Sequence, residues 1–78
     1  MNINYVETEH FQQRVRERQL LSRLELIKKA VTRPEKRINQ AHKNQPNTWV
    51  HQVEGINVVI HKQKHSEFQS THTILTVY

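Results

Sequence analysis

The chain has 78 residues, near the size at which a single core leaves only ~3–5 kcal/mol of net stability; one domain is expected, with no room for a second in that length. With no cysteine, neither a disulfide nor a thiolate metal site can supplement that core, and nothing calls for an oxidising compartment. Twelve Lys and Arg against seven acidic residues give a formal charge of +5, so the expected partner is acidic. No apolar run approaches the ~18 residues of a spanning helix, and the first residues lack the basic-then-apolar layout of a signal peptide. The expectation is a cytoplasmic protein with no membrane partner.

Residues 3–5 alternate well enough for a short first strand that ends at Glu7 and Thr8. Thr8 is a natural N-cap, and Glu9 in the first turn favours the positive end of a helix dipole. In the helix that follows, His10, Arg14 and Arg18 recur at every fourth position and stack along one stripe, with Phe11 and Val15 on the neighbouring one. Like charges at that spacing cost a few tenths of a kcal/mol, which an anion would offset. Gln19, Leu20 and Leu21 lead into a turn, and Ser22-Arg23-Leu24-Glu25 matches a capping box, so a second helix is expected to begin at Arg23. Leu24, Ile27 and Val31 form its apolar stripe, widened by Leu20, Leu26 and Ala30, and Pro34 stops it.

Beyond Pro34 the period becomes alternating. A weak edge strand is expected over residues 37–40, then a loop ending at Pro46. Strands over 48–53 and 56–63 are joined by Glu54-Gly55, a tight hairpin link that pairs Val53 with Ile56. That register puts Trp49, His51, Val53, Ile56, Val58 and Ile60 on the face packed against the helices, and Val50, Gln52, Asn57, Val59 and His61 on the other. Residues 62–70 read as a polar connection around Phe68. The last strand, 71–78, is expected to alternate Thr73, Leu75 and Val77 against His72, Ile74, Thr76 and Tyr78. The fold class is α+β: a short N-terminal strand and a helical hairpin packed on one face of a three- to four-stranded antiparallel sheet.

Nine of the twelve cations fall between positions 14 and 37, the footprint of nucleic acid or of an acidic protein partner. Lys28, Lys29, Arg33, Lys36 and Arg37 are the candidate contacts for either. Cleaving RNA without a metal needs a base for the 2′-hydroxyl, an acid for the leaving oxygen, and cations or donors on the phosphate. His10 can take either proton role, Arg14 and Arg18 can hold phosphate oxygens, and Thr76 or Tyr78 can donate a hydroxyl, provided that the end of the last strand lies beside the first helix.

The H-x3-R-x3-R pattern of residues 9–18, a second helix ending at a Pro, a central hairpin and a final Thr76-Val77-Tyr78 strand resemble a small uncharacterised bacterial domain family of the RelE/ParE-like toxin superfamily. That superfamily belongs to the wider group of barnase, EndoU, colicin and RelE nucleases. The resemblance implies a RelE-like fold and a metal-independent endoribonuclease, the toxin of a toxin–antitoxin pair, with RNA as substrate and an acidic antitoxin or inhibitor as partner. It implies a catalytic set of His10, Arg14, Arg18, Thr76 and Tyr78. RelE itself places catalytic Arg and Tyr late in the chain, whereas here no Arg follows Arg37. ParE-like relatives keep the fold without ribonuclease activity, so the alternative is a non-catalytic basic module that binds nucleic acid or an acidic protein surface. Homodimerisation through an edge strand or the helical hairpin is open under both readings.

No cofactor motif is present, and neither a Gly-rich phosphate loop nor a nucleophile elbow occurs. His61, His65 and His72 surround Lys62 and Lys64, but neighbouring lysines disfavour a divalent cation and no carboxylate completes a shell, so no metal is expected. His51 reads as a hydrogen-bonded interior histidine, and Trp49 as core or, if its face is open, as a base-stacking ring.

Overall fold

A computed structural model describes residues 2–39 and 47–78. The elements are β1 (Asn2–Glu7), α1 (Glu9–Glu17), a 3-10 turn (Leu20–Arg23), α2 (Leu24–Thr32), β2 (Lys36–Asn39), β3 (Thr48–Val53), β4 (Ile56–Lys64) and β5 (Gln69–Val77). They form one layer of helices on one mixed sheet of five strands in the order β1-β5-β4-β3-β2. The α+β class holds, but the three- to four-stranded antiparallel sheet does not. β1 joins as a fifth strand, parallel to β5, with Asn2 opposite Gln69 and Glu7 opposite Ile74. Alternation in a strand says which face is buried and nothing of which strand lies beside it.

The helices cover one face. Phe11 and Val15 of α1 and Ile27, Ala30 and Val31 of α2 pack on Val53, Ile56, Val58, Ile60, Ile74 and Val77. The hairpin register is as expected, Val53 opposite Ile56 and Trp49 opposite Ile60. Its turn needs positive φ at both linking residues, 46° at Glu54 and 83° at Gly55, which suits Gly and strains Glu.

Two local expectations are corrected. The capping box at Ser22 does not form: Gln19 turns left-handed at φ 55°, the 3-10 turn absorbs Ser22, and α2 starts at Leu24 behind Arg23 with no side-chain cap. In β5 the simple alternation fails, because the register slips between Val59↔Thr76 and Ile60↔Ile74. Leu75 is the extra residue of this bulge, so Ile74 and Val77 both face the core while Thr73 and Thr76 share the outer face. The edge strand expected over 37–40 spans Lys36–Asn39, and Gln40 with the loop to Pro46 lies outside the described residues. Among the described residues no helix is long and apolar enough to cross a membrane.

Candidate functional site

Thr8 fixes where α1 begins. Its Oγ1 accepts from the Phe11 N–H (3.1 Å), and its single proton is shared between the carbonyls of Leu75 (2.9 Å) and Ile74 (3.1 Å), the latter also accepting from the Thr8 N–H (3.2 Å). The start of α1 is therefore tied to the β5 bulge, with His10 two residues past the tie on one chain and Thr76 next after Leu75 on the other. The stripe then leads away: Arg18 lies about 12 Å further along the axis than His10. His10 and Arg18 are exposed, and Arg14 makes an exposed pair with Glu17 at 3.7 Å. Thr76, opposite Val59, sits on the sheet face turned from the helices. Tyr78 exchanges two 2.9 Å backbone bonds with Asn57, which places it on that same outer face. The five residues thus share one end of β5 only through His10, Thr76 and Tyr78, and they belong to opposite sides of the sheet.

The basic candidates disperse likewise. Lys28 lines an apolar groove beside Tyr5, Lys29 is exposed in the last turn of α2, and Arg33 closes that helix with its N–H on the Lys29 carbonyl. Lys36 lies opposite Gln52 on the outer face, while Arg37 lies opposite His51 on the helix side.

The structure gathers a different set. On the helix side, near the ends of the strands that the helices leave open, four neighbouring strands each supply one residue to a row: Tyr5 of β1, His72 of β5, Lys62 of β4 and Trp49 of β3. Tyr5 and His72 meet edge-on, ring centroids 5.6 Å apart at 88°. The Lys62 ammonium rests 4.9 Å from the centre of the Trp49 ring, a cation–π contact. Trp49 is half-buried, a ring at the lip of the core rather than inside it. Burial first, and then the Arg37 guanidinium, holds the Lys62 ammonium below the ordinary lysine range. Burial and the Lys62 charge lower the His72 imidazole in the same way, which favours its neutral form.

Behind the row, His51 is interior as expected. Its Nδ1–H donates to the Ala30 carbonyl at 2.9 Å, and its buried Nε2 has no partner among the described residues. Burial, with the Lys62 charge next in weight, pushes this imidazole down to about 4. Among the described residues no group of three or more His or Glu side chains is arranged to hold a metal ion.

Sequence reasoning missed Lys62 as a partner of Trp49, although its signal was present. Once Trp49 is set opposite Ile60, a step of two along β4 puts Lys62 on the same face and beside that ring. A comparison of the chain with family models, with curated proteins and with solved structures finds no match.

Proposed function

We propose that the protein binds single-stranded RNA, with bases stacked on Trp49 and Tyr5 and phosphates held by Lys62 and its neighbours. The observation that carries this reading is the row itself, in which a lysine ammonium seated on an indole adjoins an imidazole and a phenol ring that meet edge-on. Every base has a π-face, so such a platform accepts RNA with little regard to sequence, at about 1–3 kcal/mol per stacked base. Four strands at about 4.8 Å spacing make the row about 14 Å long, room for a short run of unstacked bases. Arg37 and Lys28 flank the row and extend the positive field. A phosphate that draws the Lys62 ammonium off the indole leaves the ring free for a base.

A second reading, metal-independent cleavage with His10 as acid or base, is favoured by the Thr8 tie that sets the start of α1 beside Thr76. One experiment addresses both. Trp49 is the only tryptophan, so its fluorescence reports stacking directly. Adding an oligouridylate is expected to quench it, and Trp49→Ala is expected to weaken binding about tenfold, the equivalent of one stacked base. Unchanged fluorescence together with unchanged anisotropy of labelled RNA overturns the binding reading. The same mixtures, kept in EDTA and run on a gel, decide on cutting. RNA cleaved by the wild type and spared by His10→Ala supports the second reading, and RNA left intact by the wild type removes it.

A further inference from the structure

Beside the row, toward the end of β4, the sheet holds a polar cavity of about 430 Å³ whose lining includes Lys62, Lys64, Ser70, His72 and Asn47. Among the described residues no carboxylate lines it. Lys62 pairs with His72 and Lys64 with Ser70 across β4 and β5, so two ammonium groups, a hydroxyl and an imidazole come from two successive same-face pairs. The ammonium-bearing residues are alternate positions of one strand, their Cα atoms about 7 Å apart. Such a cluster is self-repelling when empty: after burial, the Lys62 charge is what lowers the His72 imidazole across the cavity.

Resting on the RNA-binding reading above, we infer that this cavity takes a phosphomonoester dianion, the 5′-phosphate at the end of an RNA strand laid along the row. Charge separates this ligand from an internal phosphate: a diester carries one negative charge, whereas a terminal phosphate carries about −1.5 to −2 near neutrality, with three acceptor oxygens for the two lysines and Ser70. Position agrees. Lys64 is the last residue of β4, and the chain turns at once through His65–Phe68, where the His65 and Ser66 N–H groups close on the Gln69 carbonyl. The floor ends there along the strand direction, so the cavity lies off the line of the row, and a strand seated with a phosphate in it leaves only back over the row, between Tyr5 on one side and Trp49 on the other.

The test compares two octauridylates labelled at the 3′ end, one with a 5′-phosphate and one with a 5′-hydroxyl, by fluorescence anisotropy at one salt concentration. The phosphorylated strand is expected to bind about tenfold more tightly, the equivalent of one charge-assisted hydrogen bond. Lys64→Gln, an exposed substitution that leaves the core untouched, is expected to erase that preference. The His72 imidazole signal, followed by NMR, should titrate at higher pH with the phosphorylated strand bound than with the hydroxyl strand, because a dianion favours its charged form. Equal affinity of the wild type for the two strands overturns the inference while leaving the RNA reading in place; failure of both strands to bind overturns the RNA reading as well. Uridine 5′-monophosphate competing as strongly as the phosphorylated octamer assigns the cavity to free nucleotide and overturns the RNA-end assignment.

Discussion

His51 is where the fold and the candidate site share a single side chain. It is 2 % exposed, fixed by the Ala30 carbonyl, and packed where the charges of Lys62 and Arg37 reach it. In the unfolded chain an imidazole titrates near 6.5, and in the fold this one is held at about 4. Between those values the unfolded state binds the extra proton, so stability is full above about 6.5, falls as pH drops toward 4, and is level below that. The loss reaches about 2 kcal/mol by pH 5 and roughly 3 kcal/mol at the bottom of the window. Denaturant unfolding at pH 7 and pH 5 checks this, with His51→Phe as the control. The variant should be less stable at pH 7, where the Ala30 carbonyl loses its donor, yet show a flatter pH dependence than the wild type. An equal slope in both proteins would show that His51 is not the titrating group. His72, lowered for the same reasons, adds to the trend in both and cancels in the comparison.

The two helix starts differ in a way that the sequence hides. Thr8 and Ser22 both look like caps, but only Thr8 bonds its helix, and it also reaches the Ile74 and Leu75 carbonyls across the sheet. Thr8→Ala is expected to cost about 1–2 kcal/mol, at the upper end for a cap because the Leu75 carbonyl loses the hydroxyl donor with it while the Ile74 carbonyl keeps the Thr8 N–H, and Ser22→Ala less than about 0.5 kcal/mol. Thermal melts of the two variants give the ordering, and comparable losses would mean that Ser22 caps α2 after all. The hairpin was legible because Val53, Glu54-Gly55 and Ile56 specify register and turn together. The Ser22 motif misled because a capping box is defined over four residues, while the choice between helix and 3-10 turn was made by the left-handed Gln19 and by Leu20 packing on the core. The β5 bulge was invisible for a related reason. Ile74, Leu75 and Val77 are all apolar, and which of them faces the core depends on β4 and on the tie to Thr8.

At the scale of the whole molecule, charge and fold pull in opposite directions. The α+β layering was readable from the change of period at Pro34, but the place of β1 was not, since its partner lies 67 positions away at Gln69. The same distance effect misdirected the site: the eye falls on nine cations crowded between positions 14 and 37, while the row takes Lys62 from outside that stretch, the cavity beside it adds Lys64, and the rings come from positions as far apart as Tyr5, Trp49 and His72. Among the described residues the only ion pair is Arg14 with Glu17, so most of the positive charge is uncompensated within the fold. Self-repulsion of that kind is screened as the Debye length shrinks from roughly 10 Å at ~0.1 M salt to roughly 3 Å at ~1 M. Raising NaCl across that range should therefore raise the melting temperature. The same increase should weaken RNA binding, with a log–log slope of about −3 if Lys28, Arg37, Lys62 and Lys64 each meet a phosphate. Melting curves and anisotropy titrations in matched buffers check the pair of signs. A flat binding slope with a rising melting temperature would mean that the positive charge burdens the fold without serving a nucleic-acid ligand, and would move the search for a partner from the row to the apolar groove beside Tyr5.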